Sequence, residues 1–151
     1  SLTGHLVIAT LHTNTSVGAI TRLRDMGIES YLISSTLIGV VAQRLIRVLN
    51  KKTKQSRKAK PYECEILKVD SSDPPTIYHA NDNSDFSGRT GIYELLLVDD
   101  NIKDLIHDGA SEREIIKYTR KHFPSIRSDG RRKVLSGITT IDEVLRVTHK
   151  D

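Results

Sequence analysis

Two histidines stand on either side of the first apolar run in this 151-residue chain. His5 precedes residues 6–11, and His12 follows them, ahead of Thr13 and Asn14. Histidine is a common metal ligand and titrates near neutral pH, so the pair could belong to a metal or ligand site. Seven positions apart on a strand, the two side chains point to opposite faces, and no Cys, Asp or Glu between them completes a ligand set. Unless the chain bends between them, the two histidines cannot hold a metal together, so we expect no zinc there. His12 is either polar structural filler or a site residue.

The run between the histidines determines where His12 would lie. Its apolar residues show no alternation: Leu6, Val7, Ile8, Ala9 and Leu11. This pattern predicts a strand covered on both faces, as in the centre of a parallel sheet of an α/β fold. His12 would then lie at the carboxyl edge of that sheet, where open α/β sheets bind their ligands.

A helix that carries two arginines is predicted to follow the strand. Thr13 or Thr15 can cap it, and Gly27 is placed to end it after Met26. Apolar residues repeat at every third position along one side: Val17, Ile20, Leu23 and Met26. Arg22 and Arg24 lie away from that line, which is typical of solvated helix surface but also leaves a functional role open.

The rest of the chain divides into an irregular middle and a helical end. The pattern predicts a helix over 30–41, strands over 43–49, 62–69, 75–80 and 92–98, and short helices near 102–106, 112–118, 129–136 and 141–147. The second and third of these strands would form a hairpin. We therefore predict three parts: a core over 1–50, an irregular insertion over 51–87, and a return strand with a helical subdomain over 88–151.

Composition limits the class of protein. The formal net charge of +4 and pI near 9.2 say little about partners on their own. Six Lys and Arg residues lie within 51–60 without an aromatic residue; a solvated loop is the default interpretation, with nucleic-acid binding as the alternative. The longest apolar stretch, 31–48, is too polar for a membrane span, and no signal peptide precedes it, so we expect a cytoplasmic protein. The single cysteine, Cys64, excludes an internal disulfide framework and a four-cysteine zinc site.

Several motifs that carry chemistry are missing from the sequence. There is no G-x-S-x-G elbow, no G-x-G-x-x-G turn and no G-x-x-x-x-G-K-[ST] phosphate loop. A calcium-loop pattern over 83–94 fails because Asn83 replaces the first carboxylate and Thr90 replaces an apolar residue. We conclude that nothing in this chain alone could cradle a triphosphate and its magnesium ion.

A series of motifs nevertheless resembles one family, the hexameric ATPases of type II secretion and type IV pilus assembly. The similar segments, in the family's order, are TGHLV (3–7), TLHTN (10–14), GAITRLRDMG (18–27), AQRLIR (42–47), GRTGIYELL (88–96), SDG (128–130) and GITTIDEVL (137–145). They cover nearly the whole chain except 51–87, and the match is strongest to the type II secretion branch. The resemblance implies the C-terminal part of a RecA-like P-loop NTPase core, after the Walker B motif, with a helical extension.

The same resemblance implies roles for particular residues. His12 would be the histidine that senses or orients the γ-phosphate region, with His5 supporting it, and Thr10 would lie near the nucleotide. Arg22 would be a subunit-interface arginine, whose guanidinium can stabilise charge at a neighbouring site or hold the ring together. Arg89 would lie near the base and sugar of the nucleotide. ATP and Mg²⁺ are then expected in the complete motor, whereas this chain alone is expected to bind neither tightly and to be inactive.

The sequence departs from the family in its middle part. The family usually carries a four-cysteine zinc module there, but Asn50 and Thr53 replace the first cysteine pair and residues 81–86 replace the second. We therefore expect no zinc, and a module that depends on a small core and turns.

The resemblance also implies partners and a location. The partners would be the other subunits of a homohexamer and inner-membrane secretion platform proteins, with no nucleic acid, and the location would be the cytoplasmic side of the bacterial inner membrane. The alternative is a non-catalytic module that docks on a membrane-platform protein through the basic insertion.

Overall fold

The computed structural model describes residues 4–148 and divides them into two compact units. The first unit comprises residues 4–42 and 94–125, and the second comprises 43–93 and 126–148. In chain order the elements are α1 (Ser16–Asp25), α2 (Ser30–Thr36), β1 (Gly39–Leu49), β2 (Gln55–Lys58), α3 (Pro61–Leu67), β3 (Thr76–His79), a short 3₁₀ helix (Asn83–Asp85), β4 (Phe86–Leu97), α4 (Asp100–His107), α5 (Glu112–His122), α6 (Ile126–Leu135) and α7 (Ile141–Val147). The fold is mixed α/β, with small sheets. The sequence-based boundaries after residues 50 and 87 describe functional parts and stay a prediction.

The predicted buried strand over 6–11 is wrong for this structure. The segment forms no strand, and Leu6, Val7 and Ile8 are 75%, 63% and 86% exposed. A strand in the middle of a sheet needs hydrogen-bonded neighbours along both edges. Among residues 4–148 the paired strands are β1 with β4 and β2 with β3, so the run has no partner strand there and stays solvated.

The first helix agrees with its prediction. Thr15 caps α1, because its side-chain oxygen accepts a hydrogen bond from the Gly18 N–H at 3.0 Å. Gly27 follows with φ +82°, a left-handed conformation that glycine adopts without steric cost. The next helix, α2, ends at Thr36 rather than near residue 41, because β1 begins at Gly39.

Helices α4 and α5 complete the first unit, and both were predicted. Asp99 caps α4 by accepting from the Ile102 N–H at 2.8 Å. Ser111 and Glu114 form a capping box at the start of α5, with the Ser111 N–H donating to the Glu114 carboxylate at 2.8 Å. The buried apolar core that these helices share with α1 and α2 consists of Val17, Ile20, Ile33, Leu96, Ile102, Ile106 and Ile115.

Strands β1 and β4 pair with each other, and both exceed their predicted lengths. The Val98 N–H donates to the Ile38 carbonyl at 2.9 Å, and the Asn50 N–H donates to the Asp85 carbonyl at 2.7 Å, so the pairing is antiparallel. Burial alternates along the second half of β4: Ile92, Glu94 and Leu96 are buried, whereas Tyr93, Leu95 and Leu97 are exposed. The second half of this strand is therefore covered on one face.

The middle part of the chain is more regular than predicted. Residues 62–69 were expected to form a strand of a hairpin, but most of them belong to helix α3. Pro61 starts this helix, and Cys64 and Leu67, one turn apart, face the interior of the second unit. The predicted strand near 75–80 is present as β3, but it pairs with β2 from the basic run: Gln55 with His79, Ser56 with Tyr78, Arg57 with Ile77 and Lys58 with Thr76.

Helices α6 and α7 belong to the second unit and were both predicted. The core that they share with the middle part contains Ala59, Cys64, Leu67, Ile77, Val134, Ile141 and Val144. Across the described part of the chain, every helix is too short or too polar to span a lipid bilayer.

Candidate functional site

The histidine segment lies extended and exposed in the first unit. His5, Thr10 and His12 are all exposed, and no regular element includes them. Just after His12, the Thr13 N–H donates to the Leu11 carbonyl at 3.1 Å. The sequence correctly put polar groups at the end of an apolar run, but these side chains face solvent rather than a sheet edge.

A buried carboxylate holds the start of α1, immediately after this segment. Glu94, on the inner face of β4, is 3% exposed. Its Oε1 accepts from both the backbone N–H of Ser16, at 3.2 Å, and the Ser16 hydroxyl. Its Oε2 accepts from the Arg120 guanidinium at 2.8 Å. Sequence reasoning missed this arrangement, although a Glu inside an apolar strand is a signal, because a buried charge requires partners.

The two arginines of α1 have different environments. Arg22 is exposed to solvent, as a residue that contacts another molecule would be. Arg24 instead donates to the Ile106 carbonyl at 2.9 Å and to the Ala110 carbonyl at 2.6 Å, at the end of α4. A cation beside the C-terminal end of a helix interacts favourably with the helix dipole. The interpretation as solvated helix surface is thus wrong for Arg24, whereas Arg22 is exposed as that interpretation expects.

Arg89 lies in the second unit and lines a cavity of about 460 Å³. The other lining residues are Leu45, Ile46, Arg47 and Arg146. Three arginines therefore line one cavity. Guanidinium groups bind carboxylates and phosphates through paired hydrogen bonds, so this cavity suits an oxyanion.

One buried carboxylate balances part of that charge. Glu143 is 2% exposed and accepts from Arg47 Nη2 at 2.7 Å and from Arg146 Nη2 at 2.9 Å. Burial alone would raise the pKa of Glu143, but the hydrogen bonds from both arginines outweigh it and lower the pKa to about 2. The carboxylate is therefore ionised at neutral pH, and Arg89 is the lining arginine that it does not bind. From the sequence alone, Thr140 and Glu143 form a capping-box pattern, which indicates the start of a helix and no further role for Glu143.

The basic run is partly used inside the second unit. Lys54 Nζ donates to the Gly137 carbonyl at 2.7 Å and lies 3.9 Å from the centre of the Tyr78 ring. Arg57 binds the buried Glu63 through two hydrogen bonds of 2.6 and 2.5 Å, which are the main reason that the pKa of Glu63 falls to about 2. Lys58 donates to the Pro74 carbonyl at 2.9 Å. Half of the six cations therefore have partners within the chain.

The residues at hand do not fit a zinc module. Cys64, the chain's one cysteine, is fully buried in the second unit. Within residues 4–148, no three His, Cys, Asp or Glu side chains come together in a way that could hold a metal ion. A paired Arg57 and Glu63, with an apolar core, occupy the part of the chain where the family resemblance implies zinc.

Comparison with known proteins gives consistent matches over the whole chain. The sequence profile of the family described as "Type II/IV secretion system protein" matches residues 1–146. The chain is 53% identical to type II secretion system protein E of Pseudomonas aeruginosa, over 100% of this chain and 31% of that protein. It is 51% identical to type II secretion system ATPase E of Vibrio cholerae, over 98% of this chain and 30% of that protein. The chain thus spans less than a third of the length of these relatives.

Proposed function

The chain belongs to the type II/IV secretion system protein family, and from this premise we propose that it forms the C-terminal part of an ATPase motor that powers type II protein secretion. The observation that carries the proposal is the similarity over nearly the whole chain to a relative named as an ATPase of this system. The motif order, from the histidine segment to the final helix, supports the same assignment. Pilus assembly is the related alternative within the family.

We propose that the histidine segment completes a nucleotide site formed with the rest of the motor. In a RecA-like core the exposed run 6–11 would become a strand once partner strands lie beside it, and His12 would reach the carboxyl edge of the sheet. A neutral imidazole there is a switchable hydrogen-bond partner for the γ-phosphate region, with His5 and Thr10 on the same segment. The exposure of these side chains supports a role that depends on groups from outside residues 4–148.

Arg22 and Arg89 would supply positive charge from two different elements. Arg22, exposed on α1, would contact a neighbouring subunit of a hexamer, where a guanidinium can stabilise charge that develops during phosphoryl transfer. Arg89 would contact the nucleotide. The arginine-lined cavity supports an oxyanion in that region and so favours a ligand that carries phosphate.

ATP and Mg²⁺ would bind mainly to the preceding part of the motor. Magnesium bridges the β- and γ-phosphate oxygens and neutralises developing charge when it is bound. Since the described residues offer no ligand set for it and the sequence has no phosphate loop, this chain would contribute polar and cationic groups only. Platform proteins at the cytoplasmic face of the inner membrane would be its partners. The alternative is that the chain docks on these proteins through the basic insertion. Lys51, Lys52 and Lys60 are exposed there and could contact an acidic surface.

The test is His12→Ala in the complete motor, with His107→Ala as the matched control. His107 is also exposed, but it lies on α4. We expect His12→Ala to lower the turnover number for ATP by tenfold or more, in the range that one lost catalytic hydrogen bond produces, while His107→Ala changes it less than twofold. Unchanged hydrolysis by His12→Ala, in a protein with an unaltered melting temperature, would contradict the assignment.

A further inference from the structure

The buried carboxylate of Glu94 has more partners than an apolar strand requires. At 3% exposed, on the inner face of β4, it lies between the buried Ile92 and Leu96. An apolar side chain at this position would pack in the same core at no electrostatic cost, whereas a carboxylate must recover the cost of leaving water. The role of this carboxylate should therefore be sought in the groups that it binds.

These groups connect β4 to the beginning of α1 and to α5. The Ser16 N–H is one of the first amides of α1, which lack partners within the helix, and it donates to Glu94 at 3.2 Å. The Ser16 hydroxyl donates to the same oxygen, and Arg120 of α5 holds the other oxygen at 2.8 Å. A negative charge at a helix N-terminus is also favoured by the helix dipole. Glu94 thus fixes the first residue of α1 from two sides.

A short series of hydrogen bonds extends from this anchor to His12. Thr15 caps α1 through Gly18, and the Thr13 hydroxyl donates to the Thr15 carbonyl at 3.2 Å. The Thr13 N–H then donates back to the Leu11 carbonyl at 3.1 Å, which closes a turn around His12. Residues 4–10, ahead of that turn, are exposed and outside any regular element. The hydrogen bonds that start at the anchor therefore reach back along the chain to the turn that contains His12.

We propose that Glu94 is a positioning residue for His12. It holds the start of α1, so that the turn at residues 11–13 keeps the imidazole in a fixed position. Ser16 and Arg120 are the residues to which it is hydrogen-bonded. The inference rests on the proposed function, in which His12 contacts the nucleotide. Because a displacement of about 1 Å can cost on the order of a hundredfold in rate, a loosened anchor is expected to lower turnover strongly without touching the nucleotide.

The test is Glu94→Gln in the complete motor, with Glu63→Gln as the matched control. Glutamine keeps the size and one carbonyl oxygen but removes the charge that Arg120 binds. Glu63 is 4% exposed and also pairs with an arginine, Arg57, in the second unit. We expect Glu94→Gln to lower the turnover number about tenfold while the KM for ATP changes less than twofold. Glu63→Gln should lower the melting temperature by about as much as Glu94→Gln does, but it should leave turnover within twofold of the parent.

The second arm places Glu94→Gln in the His12→Ala background, with residual turnover followed by release of radiolabelled phosphate. If Glu94 acts through His12, it has no further effect there, so the double variant hydrolyses ATP at the rate of His12→Ala. Equal fold losses in both backgrounds, or full turnover by Glu94→Gln, would overturn the inference. Full turnover by His12→Ala would instead overturn the proposed function.

A milder variant decides the matter if Glu94→Gln does not fold. Ser16→Ala removes one donor to the carboxylate and keeps the backbone N–H and the Arg120 pair. We expect it to lower turnover three- to fivefold and to speed amide hydrogen exchange at residues 11–16 by a similar factor. Unchanged exchange and unchanged turnover in Ser16→Ala would also overturn the inference.

Discussion

Three buried carboxylates in this chain each bind at least one arginine. Glu63, Glu94 and Glu143 are 4%, 3% and 2% exposed. Burial of a carboxylate carries a desolvation cost that hydrogen bonds from an arginine offset, so removal of the arginine leaves a buried carboxylate without that partner. The partners Arg57, Arg120 and Arg47 lie 6, 26 and 96 positions away along the chain. Local spacing therefore indicates only the pair of Glu143 with Arg146, three positions apart on α7.

The low pKa values of two of these groups predict a loss of stability in acid. Glu63 and Glu143 both titrate near 2 in the folded chain, below the ordinary value of 4.5. The unfolded chain therefore binds more protons between pH 4.5 and 2, and the stabilisation is fully present above 4.5 and lost as pH falls through that window. We expect the free energy of unfolding to fall by about 3 kcal/mol per group. Urea titrations at a series of pH values measure it.

Glu63→Gln provides the control for this pH dependence. The variant should be less stable at pH 7 and should lose less stability than the parent between pH 4.5 and 2. An equally steep acid limb in the variant would mean that the Arg57 pair does not stabilise the fold.

At the scale of elements, local signals predicted the helices well and the strands poorly. Caps such as Thr15 and Ser111 act within one turn, so α1 and α5 begin where the sequence places them. Strands depend on distant partners. Residues 6–11 have a strand pattern but no partner within residues 4–148, and residues 62–69 resemble a strand while Pro61 and the i, i+3 pair Cys64 and Leu67 favour a helix.

This account predicts a difference in hydrogen exchange along the first unit. In the isolated chain, backbone amides at 6–12 should exchange within about tenfold of the unfolded rate, because they are solvated and outside any sheet. Amides in the middle of α1, such as those of Ile20 and Leu23, should exchange much more slowly. Mass spectrometry of peptides from 4–12 and 16–25 measures both.

The same peptides in the complete motor provide the comparison. If the run becomes a strand of a RecA-like core there, its amides gain protection of several orders of magnitude. Protection in the isolated chain, or none in the motor, would contradict the proposed strand.

At the scale of the whole molecule, the family could be predicted from sequence more reliably than the site. Motifs in a fixed order carry the resemblance, and the profile match over 1–146 and the relatives that are 53% and 51% identical support it. The candidate site residues, by contrast, do not all lie where the sequence predicts them. Its predicted histidines are exposed in the first unit, Arg89 lines a cavity in the second, and the carboxylates Glu94 and Glu143 that organise both regions were missed. Their roles depend on contacts between distant parts of the chain, which spacing along the sequence does not reveal.

The central claim is that this chain contributes part of an ATPase site and not a complete one. The most direct measurement is magnesium-dependent phosphate release from ATP by the purified 151-residue chain, beside the complete motor at equal concentration. The account predicts turnover by the motor and none above background by the chain, because the chain has no phosphate loop. Turnover by the chain that depends on magnesium, survives removal of contaminating ATPases and is lost in His12→Ala would contradict it.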